Sequence, residues 1–162
     1  MTTSPTNPVH RPVPWEEIHR VAFELAERLR GRGPGPGGTW TGIVAITRGG
    51  LVPAALVARA LDVRLIETIC ISSYDGVVKG ELHIVKGADA TVEGTGEGWL
   101  LVDDLVDTGA TARAARDMLP GAHYATLYAK PEGLPLVETH VADVPQDLWI
   151  DFPWDLPPPP VA

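Results

Sequence analysis

Cysteine occurs once in this chain, at Cys70, so no internal disulfide can form, and a reducing compartment, the cytoplasm, is the expected location. Long apolar runs are missing as well; none approaches the ~20 residues that a transmembrane helix needs. The opening stretch MTTSPTNPVHRPVP lacks the apolar centre of a secretory signal and is crowded with proline, which predicts a loose or extended N-terminal arm over residues 1–13. Cations are scarce: 13 Lys and Arg against 21 Asp and Glu leave a formal charge of -8. Nucleic acids and anionic membranes are held by excess positive charge, so neither is an expected partner. Any phosphate this protein binds has to be gripped locally, by a few groups in one place.

What is present suffices for one domain: 162 residues with an apolar fraction of 44% can bury an ordinary core. From Pro14, the positions Trp15, Ile18, Val21, Ala22, Leu25 and Leu29 recur at three and four residues and predict an amphipathic helix. GRGPGPGG, Gly31 to Gly38, ends it. That stretch is a linker and not a phosphate loop, because it follows a helix and its prolines delete the N–H groups a phosphate needs. TGIVAI then reads as a strand, TRGG as a tight turn, and LVPAALVARAL as a helix with Pro53 in its first turn. VRLIETICIS predicts a further strand, and the glycine-rich span Tyr74 to Gly98 a mobile segment with a hairpin around ELHIVK. GWLLV, DDLVDTGAT and ARAARDML repeat the strand, loop, helix order, AHYATLYA adds a strand, and the region from Pro131 onward reads as irregular, with Trp149, Phe152 and Trp154 crowded together. Alternating strands and helices imply a parallel α/β sheet that binds ligands beyond the carboxyl ends of its strands.

Two turns at that edge carry the chemistry. Thr108, Gly109, Ala110 and Thr111 open a helix, whose first N–H groups have no partner within the helix and attract a phosphate. A plain N-cap by Asp107 or Thr108 is the bland alternative. It leaves Asp103 and Asp104 unexplained, since adjacent ionised carboxylates repel unless a cation or sugar hydroxyls lie between them. Mg2+, which bridges one or two carboxylates to substrate phosphates, fits that place, as against a merely solvated acidic loop. TRGG, Thr47 to Gly50, is the second turn: Arg48 brings fixed positive charge and Gly49 a flexible backbone. Neither GxxxxGK[ST] nor GxGxxG follows a strand, so Walker-type hydrolysis and dinucleotide binding lose support. No His, Cys or Asp spacing resembles a transition-metal site.

The run VDDLVDTGAT resembles the phosphoribosyl pyrophosphate signature of type I phosphoribosyltransferases, and TRGG sits where that family has its pyrophosphate loop. ITRGGLVPAALVARAL, CISSYD, YAKPEGLPLV and VPQDLWIDFPWD extend the likeness to the family's bacterial purine-salvage branch, over nearly the whole span from Trp15 to Trp154. The resemblance implies a type I phosphoribosyltransferase fold: a mostly parallel central sheet flanked by helices, a flexible hairpin loop, and a small C-terminal hood. The domain would cover residues 14–156, with the hood from about 131 to 156 and a Pro-rich tail at 157–162.

It also implies roles. Asp103 and Asp104 would face the ribose hydroxyls and Mg2+, Thr108 to Thr111, including Gly109 and Ala110, would cradle the 5-phosphate, and Arg48 with Gly49 would hold pyrophosphate. Asp107 would accept the purine proton near N7, Lys130 would donate to the 6-oxo group, Trp149 would stack on the base, and the main chain of Ile150 would meet the substituent at position 2. Relatives often carry arginine directly before the Glu-Leu of the mobile loop; this chain has Gly80 there and Lys79 one place earlier, a point charge without arginine's planar fork. The implied substrates are phosphoribosyl pyrophosphate and a 6-oxopurine, guanine and xanthine before hypoxanthine, giving GMP, XMP or IMP, in a homotetramer or homodimer. Within the enzyme class the weaker rival is a hypoxanthine-guanine or a pyrimidine phosphoribosyltransferase, against which the WID and AKP segments speak; the rival from another class is a non-catalytic sensor of phosphoribosyl pyrophosphate that binds nucleic acid, and this chain lacks the basic surface it would need.

Overall fold

The computed structural model describes residues 8–73, 82–158 and 160. Its centre is a six-stranded sheet built from β2 (Gly42–Thr47), β3 (Ile66–Ser73), β4 (Leu82–Lys86), β5 (Trp99–Val106), β6 (His123–Ala129) and β7 (Thr139–Asp143). The spatial order is β4-β3-β2-β5-β6-β7, parallel throughout except for β4, which runs antiparallel to β3. The mostly parallel α/β architecture expected from the alternation of elements is therefore present. From β2 the chain moves to one side to form β3 and later returns to the other side to form β5, so the strand order reverses between β2 and β5. In open α/β sheets that reversal is where ligands bind, beyond the carboxyl ends.

Burial on both faces explains why the central strands are near-continuous apolar runs. Ile43, Ala45, Leu100, Val102, Ala125 and Leu127 face helices α1 (Trp15–Leu29) and α2 (Leu51–Leu61). Their alternating neighbours Val44, Ile46, Leu101, Tyr124 and Ala129 face α3 (Ala110–Met118) with Ala112, Ala115 and Leu119. In α1 the predicted stripe is buried from Ile18 to Leu29, but Trp15 at the first turn lies 55% exposed. Its ring tilts against Trp154 at 5.9 Å, so it belongs to an aromatic cluster at the end of the chain and not to the main core.

Four sequence expectations change. The described part of the N-terminal arm, residues 8–13, is extended and tied down: β1 (Val9–Pro12) pairs in parallel with β8 (Leu148–Asp151), and Arg11 Nη2 donates to Glu17 Oε1 at 2.7 Å. Proline tolerates a two-stranded edge of this kind because one side of the strand needs no donor. The region after Pro131 holds β7 and β8 and not only irregular chain; β7 pairs with β6, from Ala125↔Thr139 to Ala129↔Asp143. β5 runs on to Val106, so Asp103 and Asp104 sit within a strand, held by the ladder that pairs Asp103 with Thr126 and Leu105 with Tyr128. VRLIETICIS begins its strand only at Ile66, after the left-handed C-cap of α2 at Asp62. The hairpin expected around ELHIVK has β3 and β4 as its arms, while residues 74–81, with Lys79 and Gly80, lie outside the described residues. Among the described residues no helix is long and apolar enough to cross a membrane.

Candidate active site

The turn after β2 and the turn after β5 meet at the reversal point. Gly49 shows how closely: a Cβ built there would lie 2.4 Å from Asp104 Oδ2 and 2.7 Å from Oδ1. Only glycine lets this turn rest against the carboxylate. The Thr47–Arg48 peptide beside it is cis, and the Arg48 side chain is exposed. Asp103, 8% exposed, accepts the Asp104 N–H on Oδ1 at 2.9 Å.

Burial and proximity set the electrostatics of this pair. Burial, and then the Asp104 charge, push the Asp103 carboxyl well above the usual carboxylate range. Burial also pushes Asp104 up to about 6, with the Asp155 charge acting in the same direction. Across the strand, burial and then both aspartates raise the Tyr124 hydroxyl. Negative charge is thus costly here until a cation or hydroxyl donors arrive. Among the described residues no group of three or more His, Cys, Asp or Glu converges on a point. Two adjacent carboxylates without a third ligand suit a hard cation that keeps waters and shares a substrate's phosphates; they do not suit a closed transition-metal cage.

The second feature is the end of α3. Gly109 is its N-cap with φ +87°, and no side chain caps the terminus, so neither Asp107 nor Thr108 takes the bland capping role. A Cβ at Gly109 would strike Leu136 Cδ1 at 2.4 Å, which fixes this position as glycine. Leu105 to Ala112 and Tyr124 line a cavity of about 100 Å3 at that terminus, with Thr108, Ala110 and Thr111 on its wall. Unpartnered N–H groups at the positive end of a nine-residue helix make it an anion cradle.

A third feature adjoins both. Asp104, Leu105, Asp107, Lys130, Trp149, Ile150, Phe152 and Asp155 line a cavity of about 130 Å3. Lys130 follows β6 and is held in place as its N–H donates to Val106 O at 2.9 Å. Its side chain is buried, and among the described residues its ammonium meets one acceptor, Asp107 Oδ2, at 3.0 Å. An ammonium can donate three bonds, so this group has donors left for a ligand. The other oxygen of Asp107 accepts from Gln146 Nε2 at 2.8 Å. Trp149 lies on β8, 53% exposed, and Ile150 beside it is buried. The expected crowding of the three tail aromatics holds for two of them. Phe152 and Trp154 stack at 4.9 Å and 7°, whereas Trp149 stands apart, 6.2 Å from the His10 ring of β1. Phe152 is 4% exposed and belongs to the core.

The described residues among those singled out in the sequence are therefore brought together around one strand end; Lys79 lies outside the described residues. Three contributors had no signal of their own. Tyr124 is a core-facing strand residue, Asp155 one acid among many, and Gln146 a polar residue in a loop.

The chain matches the phosphoribosyl transferase domain family over residues 14–160. It is 58% identical over 144 residues to "Xanthine-guanine phosphoribosyltransferase" of Nitratidesulfovibrio vulgaris (strain DP4), covering 89% of this chain and 83% of that protein. It is 56% identical over 145 residues to the protein of the same name from Desulfotalea psychrophila, covering 89% of this chain and 85% of that one. Among solved structures, a purine phosphoribosyltransferase from Pyrococcus horikoshii superposes with a TM-score of 0.76 at 26% identity, over 94% of this chain and 99% of that chain.

Proposed function

The chain belongs to the phosphoribosyl transferase family, and from that premise we propose that it serves purine salvage by moving the 5-phosphoribosyl group of phosphoribosyl pyrophosphate onto N9 of guanine or xanthine, and more weakly of hypoxanthine. The products are GMP, XMP or IMP and pyrophosphate. The observation that carries this reading is the pairing of buried Lys130 with half-buried Asp107 at 3.0 Å in a cavity walled by Trp149 and Ile150. It is a donor and an acceptor side by side, as the 6-oxo oxygen and N7 of a 6-oxopurine require.

In this scheme the α3 terminus, Thr108 to Thr111, takes the 5-phosphate, Asp103 and Asp104 take the ribose hydroxyls, and Arg48 with Gly49 takes pyrophosphate. Asp103 and Asp104 are the residues that would hold Mg2+, and the ion would supply neutralisation of charge on the leaving group. The bond from C1′ to the pyrophosphate oxygen breaks and the bond from C1′ to N9 forms, through a centre with oxocarbenium character that the neighbouring carboxylates favour. Asp107 accepts the proton released from N7. Lys130 turns from Asp107 toward the 6-oxo oxygen. Trp149 stacks on the base, and the Ile150 main chain meets the substituent at position 2. Adenine is rejected because its 6-amino group presents donors to the Lys130 donor, and a mispaired buried polar contact is expensive. Two or four copies form the working assembly, which size-exclusion chromatography with light scattering measures.

The test is pyrophosphate release from phosphoribosyl pyrophosphate as a function of guanine, with Mg2+ and with chelator. Release that depends on both the base and the metal is expected. Release without base, or none with any base, removes the reading.

A further inference from the structure

Among the described residues, Gln146 is the one side chain besides Lys130 that bonds the Asp107 carboxylate, and its two ends match two partners that cannot be exchanged. Nε2 donates to Asp107 Oδ1 at 2.8 Å, and Oε1 accepts the Glu132 N–H at 3.0 Å. A carboxylate can only accept and a backbone N–H can only donate, so the amide is locked in one orientation. The contact spans 39 residues of chain and joins the end of β5 to the loop before β8, while the Glu132 bond ties the same amide to the loop after β6. Gln146 also stands two residues before β8, the strand that carries Trp149 and Ile150.

Resting on the purine-transfer reading, we infer that Gln146 is a positioning residue: it fixes Asp107 through Oδ1 and leaves Oδ2 as the atom that receives the base proton. In the free protein Oδ2 is taken by Lys130. When the 6-oxo oxygen draws Lys130 away, Asp107 loses one of its two restraints. Its side chain is 43% exposed, so little packing would hold the carboxylate plane. Gln146 keeps the plane fixed through that exchange. The geometry of a proton acceptor has to be right before its basicity matters.

Gln146→Glu separates this role from a merely structural one. A carboxylate of the same length still accepts the Glu132 N–H, so the loop after β6 keeps its tie. At Asp107 the donor is replaced by a like charge. The expected result in steady-state assays with guanine is a roughly ten- to hundredfold lower kcat, with KM for phosphoribosyl pyrophosphate within about threefold of wild type. Gln146→Met, which removes both bonds without adding charge, should also lower kcat, but less. In an Asp107→Asn background, measured on the residual rate, Gln146→Glu should cost little more, because the group it orients is already disabled. Wild-type kcat in Gln146→Glu, or an equal loss in both backgrounds, overturns the inference. A wild-type protein that turns over no base overturns the purine-transfer reading instead, so the two failures are told apart.

Discussion

Asp104→Asn should make this protein more stable and less useful. In the folded chain the Asp104 carboxyl is pushed up to about 6 from an ordinary 3.8, chiefly by burial. The folded state therefore keeps a proton that the unfolded chain has already released. Stability is complete below the unfolded value, falls as pH rises from 3.8 toward 6, and stays lowered above that. The gap is equivalent to ~3 kcal/mol at neutral pH. Asp104 retains some access to solvent, which screens its charge, so ~1–2 kcal/mol is the expected size. Asparagine keeps the shape and an acceptor oxygen, removes the charge, and relieves Asp103 as well. For a chain of this length the gain corresponds to a Tm higher by roughly 2–8 °C at about pH 7.5. At about pH 3, below the unfolded value, both variants are largely neutral at this position in the folded and the unfolded chain, and the advantage should vanish. Thermal melts by circular dichroism in chelator-containing buffer across that range read it directly. An Asn variant that melts at or below wild type at neutral pH, or that gains equally at both pH values, refutes the electrostatic reasoning. The same variant should bind phosphoribosyl pyrophosphate poorly, the usual trade between a stable site and a working one.

Two other substitutions probe separate parts of the site. Lys130→Met removes a buried ammonium whose partner Asp107 keeps Gln146 and water, so Tm should stay within about 3 °C of wild type or rise, while KM for guanine climbs at least roughly tenfold and KM for phosphoribosyl pyrophosphate holds, as melts and steady-state assays would show. Gly109→Ala puts a Cβ at φ +87° against Leu136; urea unfolding should find it less stable by ~1–3 kcal/mol, with a raised KM for phosphoribosyl pyrophosphate as the α3 terminus shifts.

Local signals made the two strand-turn-helix units readable. Ile43–Ile46 and Leu100–Val102 are apolar runs rich in β-branched residues or leucine, the turns carry glycine, and the helices that follow show their period. The acid pair reads as loop from local sequence because charge at a strand end looks solvated. What keeps Asp103 and Asp104 in β5 is the ladder to β6, a pairing of residues more than twenty apart that no local pattern encodes. Long-range pairing also hid β1 and β7. VHRP has no strand signature of its own and is extended because LWID lies beside it, and THVAD follows a proline-rich turn that masks it. The site residues were legible where a motif carried them, as with Asp107 and Thr108 to Thr111, and where the family likeness did, as with Lys130 and Trp149. Gln146 was not, because a glutamine in a loop acquires meaning only from the atoms it is folded against.

The central claim is that the Lys130–Asp107 pair reads a 6-oxopurine for transfer of a phosphoribosyl group. Mass-spectrometric detection of nucleotide formed from phosphoribosyl pyrophosphate, Mg2+ and an equimolar mixture of guanine, xanthine, hypoxanthine and adenine tests it in one vessel. GMP and XMP should accumulate first, IMP more slowly, and AMP not at all. AMP formed at a rate comparable to GMP would contradict the account.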